Sequence, residues 1–165
     1  MTPLPRLKPT RHGVLAECAA FYDTRGYPPR IADIGCLSPG RVSDALRELR
    51  SLGYVVPQSG FRSTAVTLAG RVYLALADAP LYRDIGQAQH KARQIYPTGI
   101  IGVYKAVGQY ACSRIWHDGQ PISYQALDAW GGALPKGWSL IHWCIKKRWW
   151  PYWTPDQRKA KKDAA

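Results

Sequence analysis

The sequence predicts an α+β chain in two parts, mainly α-helical, with one small β-hairpin in its first half. Three observations lead there. Apolar residues recur at helical spacing over 14–22, 42–52 and 70–79, and these runs end at Gly26, Gly53 and Pro80. Two β-prone runs, Tyr54-Val55-Val56 and Ala65-Val66-Thr67-Leu68, flank a polar loop. All seven tryptophans fall after residue 115, beyond a polar stretch at 81–98. With 46% hydrophobic and 12% aromatic residues, 165 residues suffice for a packed core.

A proline-punctuated segment opens the chain and reads as a flexible arm over 1–10. Val14, Leu15, Cys18, Ala19, Phe21 and Tyr22 then share one face of a first helix, stopped by Gly26. Gly26-Tyr-Pro-Pro turns the chain into a short second helix around 30–34, with Ile31 and Ile34 three apart. After Gly35-Cys36-Leu37, Ser38-Pro39 supplies an N-cap and a first-turn proline for a third helix over 39–52. Along it Val42, Ala45, Leu46, Leu49 and Leu52 form an apolar stripe. Gly40, Asp44, Arg47 and Ser51 point away from that stripe, flanked by Arg41 and Arg50. The loop 57–64 carries Arg62 near its tip, and a further helix spans 70–79.

This order of helices and hairpin is that of a winged helix-turn-helix over 11–80. The stretch Arg25-Gly-Tyr-Pro-Pro-Arg through Leu37-Ser-Pro-Gly-Arg to Leu52-Gly-Tyr-Val-Val resembles the DNA-binding domain of LexA-type repressors. There a glycine-x-proline-proline turn precedes the second helix, and a serine-led third helix ends in leucine and glycine before the wing. Val66-Thr-Leu-Ala-Gly-Arg resembles the wing exit of MarR-type regulators. The likeness covers about 60 residues of the kind such domains use to enter a groove of double-stranded DNA. The serine and lysine motifs of the LexA protease half are missing from the second half, so self-cleavage is not implied. The resemblance implies that Arg41 and Arg47 reach base edges, where an arginine is bidentate to guanine. Ser38, Ser43, Arg50 and Arg62 would hold phosphate. Asp44 would accept from a cytosine amino group or lower affinity for non-specific sequence.

The stretch 81–98 reads as a polar, helical connector, and a helical, tryptophan-rich domain is expected over 99–155. Ile101, Tyr104, Val107, Ala111, Ile115 and Trp116 suggest a helix over 100–116. A short helix at 124–130 and another from Leu134 to about Trp149 would complete a second helix-turn-helix. Lys136, Lys146, Lys147, Arg148, Trp149, Trp150 and Trp153 mix cations with aromatic rings and form a second candidate contact for nucleic acid or a partner protein. Trp116, Trp130 and Trp143 are assigned to a core or a dimer interface. The basic tail 156–165 has no apolar anchor and is expected to fray.

Lysine and arginine total 23 against 11 acidic residues, a formal charge of +12 that suits a polyanionic partner. The second half carries 13 of the 23 cations and 5 of the 11 anions, so both halves are candidates to meet phosphate. No apolar run approaches the roughly 18 residues of a membrane span, and a cytoplasmic protein is expected. Cys18, Cys36, Cys112 and Cys144 lack the spacing of a zinc site and read as buried thiols in a reducing compartment. His117-Asp118 stands without further ligands or a nucleophile, so no enzyme, metal or cofactor is expected. The reading is a sequence-specific binder of double-stranded DNA, a bacterial or phage transcriptional regulator acting as a homodimer. Two rivals remain: a phage-encoded adaptor or inhibitor of a host nucleic-acid machine, contacting a host protein through its second half, and a replication initiator with tandem winged helices.

Overall fold

Proline and glycine punctuate the first helix at both ends. Helix α1 (Pro9–Arg25) begins with a proline whose missing N–H costs nothing in the first turn. It ends where Gly26, at φ +78°, donates its N–H to the Tyr22 carbonyl over 2.8 Å. The computed structural model describes residues 6–58, 63–119 and 121–165. The chain divides between Leu74 and Ala75 into two compact units.

In the first unit α1 is followed by a single 3-10 turn, Ile31–Asp33, then by α2 (Pro39–Ser51), β1 (Val55–Gln58), β2 (Ser63–Val66) and the start of α3 (Leu68–Leu76). Strands β1 and β2 pair antiparallel, with Val55 opposite Val66. Arg30 forms an isolated antiparallel bridge to Ser63, and Thr64 donates its N–H to the Pro29 carbonyl, so the segment before the 3-10 turn lies along β2. Val14, Leu15 and Cys18 of α1 are wholly buried with Val42, Ala45 and Leu49 of α2, Val55 of β1 and Val72 of α3. Thr67 closes the hairpin by donating its hydroxyl to the Gly53 carbonyl over 2.6 Å. Gly70 then passes so near β1 that a Cβ there would lie 2.4 Å from the Tyr54 carbonyl oxygen.

Several expectations for this unit change. The arm over 1–10 is not free in its last residues: Pro9 and Thr10 lie in α1, and the Leu7 N–H bonds the Tyr73 hydroxyl over 2.9 Å. Residues 1–5 lie outside the described residues. The second helix shrinks to one turn, because Asp33 folds back to accept the Arg30 N–H and Pro28-Pro29 allow no earlier start. Cys36 is exposed where a buried thiol was expected, because the turn that carries it faces outward.

The second unit departs further. Tyr82 exchanges two main-chain hydrogen bonds with Tyr110, and Asp84 caps α4 (Ile85–Ile95) by accepting from the Gly86 N–H. There follow β3 (Ile101–Ala106), β4 (Gln109–Arg114), α5 (Tyr124–Gly132), β5 (Trp138–Ile145), β6 (Arg148–Pro151) and α6 (Pro155–Asp163). The strands form one antiparallel sheet in the order β4-β3-β5-β6. Ala88 and Ala92 of α4 pack on one face with Ile101, Val103, Cys112 and Cys144. On the other face Trp130 of α5 donates its indole N–H to the Tyr104 hydroxyl over 2.9 Å, and that hydroxyl lies 2.9 Å from the Ser113 hydroxyl.

The helical reading of 100–116 and of 134–149 is therefore overturned, and with it the second helix-turn-helix, whereas the short helix expected at 124–130 is present as α5. The run 100–116 is the β3–β4 hairpin, turning at Val107-Gly108, and 134–149 holds β5, a turn at Lys146-Lys147 and the start of β6. Both faces of β3 are covered, so its apolar residues form a nearly continuous run in place of an alternation. A bulge on β5 opposite Val103 and Tyr104 breaks the alternation there. The stretch 81–98 is helical over α4, as expected, but it is no spacer, because α4 supplies core to the sheet. The tail does not fray at its start: Thr154 and Gln157 form a reciprocal capping box, and Arg158 pairs with Asp128 over 2.5 Å. Among the described residues no helix is long and apolar enough to cross a membrane.

Candidate nucleic-acid interface

Helix α2 divides its residues by face. Val42, Ala45, Leu46 and Leu49 are buried, while Arg41, Asp44, Arg47 and Arg50 are exposed and Ser43 is half-buried. Glu48, which would otherwise weaken the positive face, is bound by Arg11 of α1 over 2.5 Å. Asp44 and Arg47 form an ion pair at 3.5 Å with both side chains mostly in water, an arrangement worth little in stability and readily exchanged for another partner. Ser43, Arg47 and Arg50 line one side of a depression of about 380 Å³, and Pro57, Gln58, Ser63 and Thr64 of the hairpin line the other. Ser38 stands at the N-cap position, exposed, with its carbonyl accepting from the Val42 N–H and its hydroxyl making no capping bond. Arg62 lies outside the described residues.

The turn before α2 is held from a distance by a residue that the sequence reading passed over. Glu17 of α1 accepts the Gly35 N–H at 2.7 Å and the Cys36 N–H at 3.2 Å. The Cys36 thiol, followed by these two amides, holds the Glu17 carboxyl below its usual value of 4.5 against the opposing effect of burial. A carboxylate whose folded pKa is depressed contributes stability above its unfolded pKa. That contribution is lost as pH falls through the lower folded value. Glu17→Ala is thus expected to cost about 1 kcal/mol near neutral pH, a figure kept small because the site is open to water. Denaturant melts at pH 7 and pH 3 check this: the gap between wild type and variant should close at the lower pH. No local pattern marks Glu17, since its partners are 18 and 19 residues away.

In the second unit the candidate residues separate. Lys136 is exposed in the turn before β5. Lys146 and Lys147 occupy the β5–β6 turn with positive φ, +50° and +64°. Successive strand residues point to opposite faces, so Trp149 packs with the α4 side, under Arg93 at 5.9 Å, while Trp150 stacks on Trp143 at 6.2 Å. Arg148 lies over Trp150 at 5.1 Å, and Tyr124 meets Trp143 edge-on. Trp153 is covered by the Lys161 ammonium, 3.2 Å from the ring centre. Arg148, Trp150, Trp143 and Tyr124 therefore form one cluster, which Trp149 and Trp153 do not share. Of the tryptophans assigned to a core, Trp130 is fully buried, and Trp116 and Trp143 are half-buried.

Comparison with known proteins finds no matching family model, no matching curated protein and no matching solved structure.

Proposed function

We propose that the chain is a sequence-specific double-stranded DNA-binding protein, a transcriptional regulator that acts by occupying its site, with α2 as the reading helix of a winged helix-turn-helix. The observation that carries this is the division of α2 into a buried aliphatic side and an exposed side bearing Arg41, Arg47 and Arg50. A helix anchored by one face and cationic on the other can lie in the major groove. The order α1, turn, α2, β1, β2, with residue 30 bridged to β2, supports the same reading. The charge of +12 favours phosphate, and Arg11 removes Glu48 as a repulsive neighbour. In this reading Asp44 holds Arg47 until a base replaces it. A homodimer would double the half-site.

The test is selection from a randomised duplex library at about 0.15 M salt, followed by titration of the winning and scrambled sequences. A single short site bound at least about a thousandfold more tightly than scrambled duplex is expected. Weak binding alone, steeply dependent on salt, would sink it. That second outcome would favour an adaptor acting through the exposed Tyr124 and Trp150 beside Arg148. The sheet of the second unit removes the support that a tandem winged-helix initiator had.

A further inference from the structure

The second unit contains a cleft of about 720 Å³ beside the β5–β6 turn. Such a volume suits one small organic molecule. Tyr96, Ile122 and Ile145 give it apolar walls, and Arg93, Lys146 and Lys147 stand among its lining. None of the described residues that line it is an aspartate or glutamate.

The walls are held before any ligand arrives. Arg114 stacks over Tyr96 at 5.7 Å and donates to the Thr98 carbonyl at 3.1 Å, which fixes the segment between α4 and β3. Arg93 donates to the Lys147 carbonyl and so ties the turn to α4. The turn itself is a two-residue hairpin loop with positive φ at both positions, where asparagine and glycine are the favoured pair. Two lysines in this left-handed conformation are strained. Both lysines of this turn are among the residues that line a largely apolar cleft, and neither forms an ion pair among the described residues.

We infer that the second unit carries a binding site for a small organic anion with an apolar body, the body lying against Tyr96, Ile122 and Ile145 and the anionic end meeting Lys146 and Lys147. The site shares no residue with α2 and does not depend on the DNA-binding reading. Charge complementarity selects the ligand class: an apolar cleft alone would take neutral molecules equally well, whereas cations without any facing carboxylate favour an anion.

The test uses the full chain and two dyes of similar body, anilinonaphthalene sulfonate and its uncharged analogue phenylnaphthylamine, followed by fluorescence. The native protein should bind the sulfonate at one saturable site, at least about tenfold more tightly than the neutral dye. The double variant Lys146→Asn/Lys147→Gly removes both charges while keeping the carbonyl that Arg93 uses. It should melt roughly 5 °C higher, because the turn is relieved, and bind the sulfonate about tenfold more weakly. Lys146→Arg/Lys147→Arg should bind as the native protein does. Equal binding of the two dyes, undiminished sulfonate binding by the Asn-Gly variant, or loss of binding in the arginine variant would each overturn the inference. So would displacement of the dye by an oligothymidylate at lower concentration than by naphthoate, which would turn the surface into one for nucleic acid.

Discussion

Trp130→Ala is expected to lower the stability of the second unit by about 3–5 kcal/mol, the usual range for removing a large buried aromatic side chain. Trp130 is 1% exposed, and its indole N–H is bound to the Tyr104 hydroxyl, which is itself fully buried beside Ser113. Alanine removes the packing between α5 and the sheet and takes away the Tyr104 hydroxyl's indole partner. Domains of this size have only about 5–15 kcal/mol to lose. With a urea dependence of about 2 kcal/mol per molar, the midpoint should fall by roughly 1.5–2.5 M. Tyr104→Phe offers a milder comparison, since it deletes only the hydroxyl and leaves the indole N–H without an acceptor, at about 1–3 kcal/mol. A Trp130→Ala midpoint within about 0.3 M of wild type would mean that α5 does not hold the sheet as described.

The second large effect concerns recognition. On the proposed reading, Arg41→Ala with Arg47→Ala should weaken binding to the selected duplex by about thirtyfold or more, since two bidentate base contacts worth about 1–3 kcal/mol each would be lost. Binding to scrambled duplex should fall only a few-fold. The contrast with Arg50→Ala is diagnostic: loss of a phosphate contact weakens both duplexes alike and flattens the salt dependence by about one unit of slope. Both arginines of the double variant are exposed on a helix whose opposite face is intact, so folding should be preserved, and circular dichroism would check it. If the selected sequence and its affinity survive the double substitution, α2 is not the reader.

What was legible in the sequence follows from how each element is buried. Helix α2 is covered on one side, so Val42, Ala45, Leu46 and Leu49 recur at the helical period and its bounds emerge within a residue. Strand β3 of the second unit is covered on both sides. Ile101 to Tyr104 are all buried, and a wholly apolar run does not distinguish a strand from a buried helix. Two clues were present all the same. Gly102 and Gly108 are poor residues for a helix interior. In the fold, a Cβ at Gly102 would lie 2.6 Å from the Tyr104 hydroxyl oxygen, and Gly108 takes a φ of +75° in the hairpin turn. The Thr154-Pro-Asp-Gln157 sequence is a legible start for α6, which the absence of an apolar stripe obscured. At the candidate interface, the outward arginines could be read from spacing. The Glu17 and Arg11 contacts could not, because each joins residues far apart in the chain.

The single bridge between Tyr82 and Tyr110 bears on how the protein behaves when concentrated. A strand at the rim of a sheet is a template for other chains, and stacking by that route leads to fibrils. Here the rim at β4 is partly occupied by the protein's own Tyr82, which uses both main-chain groups of Tyr110. At the opposite rim β6 is four residues long, opens on the cation Arg148 and closes on Pro151, which has no N–H to offer. In this sheet Tyr82 thus covers part of one rim, and the short, proline-ended β6 leaves the other a poor template for a further strand.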